Sequence, residues 1–248
     1  MLWVFHIGYG CGNRLQSQMK CLKFTIYDIL IQHYAEVEMS DLPLDTGMQG
    51  QIAIAVKMLA EGGVAAIPTD TLYGLAANAF DESAVQKVYE LKGRPDGMAL
   101  PLLLSDAEDA ARCAAHLPDS ALALAERFWP GALTLVVRKG ADVPDIVTAG
   151  MSTVALRVPD HPVPRAIAES LGSPITGTSA NLSGRPGLTN AASVRAEFGD
   201  TLDFVLDGGD AMGGVASTIL DMTGDEPRVL REGAVSWADI EAVLKKTE

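Results

Sequence analysis

The sequence predicts an α/β fold, a twisted mixed β-sheet flanked by helices and organised as one main domain. Three observations carry this reading. From Gly50 onward, short apolar runs of strand length alternate with segments whose apolar residues recur at helical spacing. Several of those short runs follow one another with no helix between them, so some neighbours must pair antiparallel and the sheet cannot be purely parallel. The 248 residues, 48% hydrophobic and 21% charged, suffice for one sizeable core and match an ordinary soluble globular composition.

The elements follow in order. Ile52, Val56, Leu59 and Ala60 form one helix face, stopped by Gly62 and Gly63. Residues 64–67 read as a buried strand, and 81–91 as a helix capped by Asp81, with Val85, Val88, Tyr89 and Leu91 at helical spacing. A buried strand at 100–104 precedes helices at 106–115 and 118–128, the second entered through a proline. Strands at 133–137 and 154–158 flank a loop containing Gly, Pro and Asp. A helix at 163–171 and a strand at 174–178 come next, then a helix from an N-cap at Thr189 to Phe198; His161 is placed to cap or break structure. Short strands at 204–206, 217–221 and 228–230 lead to a closing helix capped by Ser236 and running through Leu244.

Residues 1–47 stand apart from this pattern. They hold Cys11, Cys21 and a cluster of aromatics including Trp3, Phe5 and Tyr9, yet show no sustained period of 2 or 3.6. Two readings are open: a start assigned upstream of a true initiator at Met39 or Met48, or an additional element packed on the domain. Residues 48–248 are the domain proper, and the expectation is that 1–47 are dispensable to it.

Two stretches at strand ends carry hydroxyls, amides and turn residues. The first is Pro68-Thr69-Asp70-Thr71-Leu72-Tyr73-Gly74-Leu75, followed by Lys92-Gly93-Arg94-Pro95 where a helix stops; the second is Ser179-Ala180-Asn181-Leu182-Ser183-Gly184-Arg185-Pro186. Ligands of open α/β sheets bind in crevices at such strand ends. Taken singly, each residue has a structural alternative. Lys92 and Arg94 would offset the negative end of a helix dipole, Arg157 would pair with a surface acid, and Arg231 with the adjacent Glu232. Together, Lys92, Arg94, Arg157 and Arg231 with Thr71, Thr153, Ser179, Asn181, Thr189 and Ser217 make a set suited to a nucleotide and a small carboxylate, because guanidinium forks bind such anions through paired hydrogen bonds. The glycine-rich run from Asp207 to Gly214 is either a flexible connection or a place where backbone approaches a ligand closely.

These stretches resemble the YrdC family of threonylcarbamoyl-AMP synthases, whose signature pairs a lysine-x-arginine element with a serine-x-asparagine element. The resemblance runs from about Gly62 to Gly233. It also includes Trp129-Pro130-Gly131-Ala132-Leu133-Thr134, Val154-Ala155-Leu156-Arg157-Val158-Pro159 and Ser217-Thr218-Ile219-Leu220-Asp221. It implies a YrdC-like fold in the short, single-domain form. It also implies a reaction of L-threonine, bicarbonate and ATP that gives threonylcarbamoyl-AMP and pyrophosphate, with Mg²⁺ on the phosphates. Thr71, Arg157, Ser179 and Ser217 would contact L-threonine. Arg94, Thr153, Asn181, Thr189 and Arg231 would hold ATP, and Lys92 with Arg94 would form the catalytic cationic pair. The product would pass to a tRNA threonylcarbamoyl transferase complex. Where many members carry a polar residue and a histidine after the lysine-x-arginine element, this chain has Met98 and Leu103.

Other chemistries find no support in the residues. No G-x-x-x-x-G-K-[ST] or G-x-G-x-x-G run is present, and the four histidines have no nucleophile beside them in sequence. The three cysteines lack metal-ligand or paired spacing. A net charge of −13 argues against a broad nucleic-acid surface, so direct tRNA binding should be weak; an RNA-binding module without synthase activity is the competing reading. With neither a long apolar run nor a signal-peptide pattern, a cytoplasmic chain with no membrane partner is expected.

Overall fold

The computed structural model describes residues 44–93, 97–211 and 215–246. Expectations for residues 1–43, for Arg94 and for Met212 to Gly214 lie outside the described residues. Helix α1 (Thr46–Ala60) begins where the Asp45 side chain accepts the Met48 N–H at 2.7 Å, and it buries Ile52, Ala55, Val56 and Leu59. The first described helix thus starts two residues before Met48.

Strand β1 (Ala65–Ile67) leads through the Thr-rich loop to β2 (Gly74–Ala76). Helix α2 (Glu82–Lys92) starts at the Asp81 cap, which accepts the Ser83 and Ala84 N–H groups, and stops at Gly93 in the left-handed region, φ 54°. Its buried face includes Ala84, Val85, Val88 and Tyr89; each valine contributes about 1.5–3 kcal/mol by leaving water. Next come β3 (Leu102–Leu103), α3 (Ala110–Cys113), α4 (Asp119–Phe128), β4 (Leu133–Arg138), α5 (Asp145–Thr148) and β5 (Thr153–Arg157). Then follow α6 (Pro162–Leu171), β6 (Ile175–Thr176), β7 (Thr178–Ser179), α7 (Ala191–Phe198), β8 (Phe204–Val205), β9 (Thr218–Asp221), β10 (Arg228–Arg231) and α8 (Trp237–Leu244).

The strands form two mixed sheets rather than one. Four strands run in the order β7-β2-β1-β8, and six in the order β10-β9-β4-β5-β3-β6. Parallel pairs (β1 with β8, β3 with β5, β4 with β9) sit among antiparallel ones. Helix α1 packs on α6, and α4 on α8, covering the sheets with the apolar faces that the sequence spacing marks. Among the described residues no helix is long and apolar enough to cross a membrane.

The two sheets are joined where sequence reading expects one continuous strand at 174–178. Gly177 interrupts it: its N–H donates to the Pro101 carbonyl at 2.8 Å, and a Cβ there would lie 2.5 Å from Leu103 Cγ. The chain therefore leaves the larger sheet after Thr176 and enters the smaller one at Thr178. Thr176 Oγ1 donates to the Leu75 carbonyl (2.9 Å) and accepts the Ala77 N–H (3.0 Å), which closes the seam.

Other boundaries differ for local reasons. The strand expected at 100–104 is reduced to Leu102–Leu103, since the Leu100 N–H goes to the Val147 carbonyl and Pro101 has no N–H. The helix expected at 106–115 shortens to Ala110–Cys113 because Asp106 Oδ1 takes the Glu108 and Asp109 N–H groups and folds a turn. Asn190, not Thr189, caps α7, accepting the Ser193 N–H at 2.8 Å. His161 does cap α6, with Nδ1 accepting the Val163 N–H.

Candidate active site

Successive strand residues point to opposite faces, and one face of the larger sheet, with loops from the smaller, lines a cleft of about 580 Å³. Thr134 and Val136 of β4, Thr153, Ala155 and Arg157 of β5, and Ile219 and Asp221 of β9 alternate into it. Thr69, Thr71 and Tyr73 face them from the loop after β1, and Thr178 and Ser179 from β7. Sequence-distant segments thus deliver hydroxyls and guanidinium groups to one place.

Arg157 organises the inner end. Its Nε donates to the Gly131 carbonyl (2.8 Å), NH1 to Thr71 Oγ1 (3.2 Å), and NH2 to both Asp70 oxygens (2.5 and 2.6 Å). Both side chains are largely buried, 7% and 15% exposed, so this is an interior ion pair that ties the end of β5 to the loop after β1. Burial pulls the Arg157 pKa below its ordinary value, and the Asp70 carboxylate opposes that shift; an arginine stays charged throughout. Thr69 shapes the same loop: its Oγ1 donates to the Leu72 carbonyl (2.7 Å) and accepts the Thr71 and Leu72 N–H groups, a local turn built by a short hydroxyl side chain.

Ser217 and Arg231 form the second polar group. Ser217 Oγ shares a 2.8 Å hydrogen bond with the buried Thr134 hydroxyl, while Arg231 donates from Nε and NH2 to the Ser217 carbonyl (3.0 and 2.8 Å) and from NH2 to its Oγ (3.0 Å). A register shift between Val229 and Arg231 sets Arg231 opposite Ile219, a bulge of the kind that re-aims a side chain beside a site. Arg231 makes no ion pair with Glu232 among the described residues. Its pKa is lowered first by burial and then by the positive charge of Arg157, so the cleft holds two cations close enough to repel each other.

The family model for Sua5/YciO/YrdC, described as telomere recombination, matches residues 57–233. The chain belongs to the Sua5/YciO/YrdC family. Threonylcarbamoyl-AMP synthases of Bacillus subtilis and Pyrococcus abyssi are 43% and 41% identical to it over 195 and 194 residues, in each case 78% of this chain. Those spans are 56% and 57% of the relatives' own lengths, so this chain covers little more than half of each. The crystal structure of P. abyssi Sua5 complexed with L-threonine matches with a TM-score of 0.76 at 42% identity, over 77% of this chain and 56% of that one.

In this Sua5/YciO/YrdC chain the residues singled out from sequence divide in two. Thr71, Thr153, Arg157, Ser179, Ser217 and Arg231 line the cleft. Lys92, Asn181 and Thr189 are not among its lining residues. Lys92 is 3% exposed, and its Nζ donates to the Ser179 and Asn181 carbonyls rather than offsetting the helix dipole in solvent. Asn181 Nδ2 donates to the Leu182 and Arg185 carbonyls, and the Thr189 carbonyl accepts the Ala211 N–H. Met98 and Leu103 do line the cleft and give it apolar surface. Sequence reading missed the site roles of Asp70 and Thr134. Both lie inside blocks that carry the resemblance, but nothing in sequence marks Asp70 as the partner of an arginine so far along the chain. For the glycine-rich run, Tyr73 supplies the explanation. Its hydroxyl donates to the Gly209 carbonyl (2.7 Å) and accepts the Gly208 N–H (3.2 Å), and a Cβ on Gly208 would stand 2.7 Å from Pro68.

Proposed function

We propose that this chain is a threonylcarbamoyl-AMP synthase, joining L-threonine, bicarbonate and ATP into threonylcarbamoyl-AMP and pyrophosphate. Support comes from family membership, from the names its relatives carry, and above all from one observation: a single cleft gathers Thr71, Thr153, Arg157, Ser179, Ser217 and Arg231. In this reading, L-threonine lies among Thr71, Arg157, Ser179 and Ser217. ATP extends past Thr153 and Arg231, and Arg94 is assigned to it by its motif position; Asn181 and Thr189, which lie outside the cleft lining, support the adjoining backbone. The threonine amine adds to carbon dioxide drawn from bicarbonate and loses a proton. An oxygen of the resulting carbamate then bonds to the α-phosphorus as the bond to pyrophosphate breaks.

No protein nucleophile enters this scheme. The chain's part is to hold the two substrates in line and to set fixed positive charge beside phosphoryl oxygens, which are the main sources of rate in such transfers. Asp70 keeps the Arg157 fork rigid, and Ser217 does the same for Arg231. Mg²⁺ arriving on the triphosphate would supply further charge neutralisation. No group of three or more His, Cys, Asp or Glu among the described residues is arranged to hold a metal. The product passes to a tRNA threonylcarbamoyl transferase complex, and the net charge of −13 makes tight direct tRNA binding by this chain unexpected.

Pyrophosphate release should require ATP, bicarbonate and L-threonine together; release that is independent of threonine rejects this substrate assignment. L-Serine should be a poorer substrate by about 1–3 kcal/mol, the worth of one methyl group in a pocket. Arg231→Ala removes charge-assisted bonds of about 1.5–3 kcal/mol and should raise the ATP requirement about ten- to a hundredfold while moving the threonine requirement much less. Saturation curves for each substrate check this, and an unchanged ATP curve removes Arg231 from the nucleotide.

A further inference from the structure

We propose that Lys92 is a positioning residue for Ser179, acting from behind the cleft rather than on the ligand. This rests on the synthase reading of the cleft. Lys92 is the last residue of α2, and Gly93 turns the chain away directly after it. Its ammonium lies against the turn that follows β7, donating to the Ser179 carbonyl (2.5 Å) and the Asn181 carbonyl (2.8 Å), with Asn181 Oδ1 at 3.5 Å. The same turn is fastened on its other side, since the Ser183 N–H donates to the Lys92 carbonyl (2.9 Å) and the Asn181 N–H to the Ser179 carbonyl (2.9 Å).

An ammonium is a compact donor of three hydrogens, and here it draws converging oxygens together in a buried setting where each bond is stronger than in water. Ser179 lies in β7, paired with Gly74 of β2, and lines the cleft, while its carbonyl is held from behind by Lys92. The lysine and the asparagine of the two motif elements therefore brace one another's loops. Ser179 is the member of that group that meets the cleft.

A residue that acts only through Ser179 has no further effect once the Ser179 hydroxyl is gone, whereas a residue that touches phosphate adds its loss to any other. The test is a cycle of Lys92→Met, Ser179→Ala and the double variant in the full chain, reading kcat and the threonine and ATP saturation curves, with thermal melting as a check on folding. Lys92→Met should lower kcat/KM for threonine about tenfold or more with less than about a threefold change in KM for ATP, and the double variant should match Ser179→Ala within about twofold. Lys92→Gln, neutral but still an N–H donor, should recover part of the loss and serves as the cycle partner if Lys92→Met does not fold. Additive losses, or a large rise in KM for ATP shared equally by the Met and Gln variants, overturn the proposal. If the wild-type chain shows no threonine-dependent turnover, the synthase reading fails and this proposal, which rests on it, fails with it.

Discussion

Replacing Arg157 by alanine should lower stability by about 3–5 kcal/mol, because it strands the Asp70 carboxylate in a largely buried site with no cation to offset its lost hydration. For a domain of this size that is a fall of roughly 6 to 20 °C in melting temperature. Threonine-dependent turnover should fall as well. The Thr71 hydroxyl and the Gly131 carbonyl both lose the guanidinium that fixes them, and in the proposed reading the threonine carboxylate would lose a cation beside it. The two losses separate in a second variant. Adding Asp70→Asn to Arg157→Ala removes the unpaired charge and should restore part of the melting temperature without restoring turnover. A single variant that melts like wild type but needs far more threonine would mean that the Asp70 pair adds little to stability and that Arg157 acts chiefly on the ligand.

Gly233→Ala should be nearly as damaging, although the change is one methyl group. A Cβ at this position would lie 2.4 Å from the Ala216 carbonyl oxygen, 2.4 Å from the Ser217 carbonyl carbon and 2.5 Å from the Thr218 nitrogen. All three are backbone atoms, so no rotamer change relieves the clash, and overpacking of this kind costs about 1–3 kcal/mol. The displaced segment is the one that presents Ser217 and anchors Arg231, while the Ala234 N–H fastens the same segment through the Ala216 carbonyl. Turnover should therefore drop at least about tenfold with both substrates affected. Thermal melting and both saturation curves measure it. Normal kinetics in a variant that is merely less stable would show that the Ser217 backbone tolerates the shift.

The parts of the fold legible in sequence are those set by local patterns. Asp81 before an apolar helical face, Ser236 before the closing helix, and apolar runs such as 133–137 all behave as their composition dictates. Non-local effects hid the rest. Nothing within 174–178 shows that Leu103 crowds Gly177 and sends the chain from one sheet to the other. Strand β2 is concealed in a stretch that reads as a loop, because three small or apolar residues after a turn carry almost no periodic signal. In the cleft, residue types and their strand-end positions identify Arg157, Ser179, Ser217 and Arg231 as lining residues. Which of them face the cleft and which brace others depends on distant partners, 87 residues away for both Asp70 with Arg157 and Lys92 with Ser179. Such pairings become visible only after folding.

In the proposed reaction, the cleft joins L-threonine and bicarbonate as a carbamate whose oxygen takes the adenylyl group of ATP as pyrophosphate leaves. Its most direct test is to incubate the full chain with ATP, L-threonine and carbon-13 bicarbonate and to identify the nucleotide product by mass. The prediction is an adenylate bearing threonine and one labelled carbon, formed with pyrophosphate and absent when threonine is omitted. Adenylate formed without threonine, or an adduct of threonine carrying no label, would contradict it.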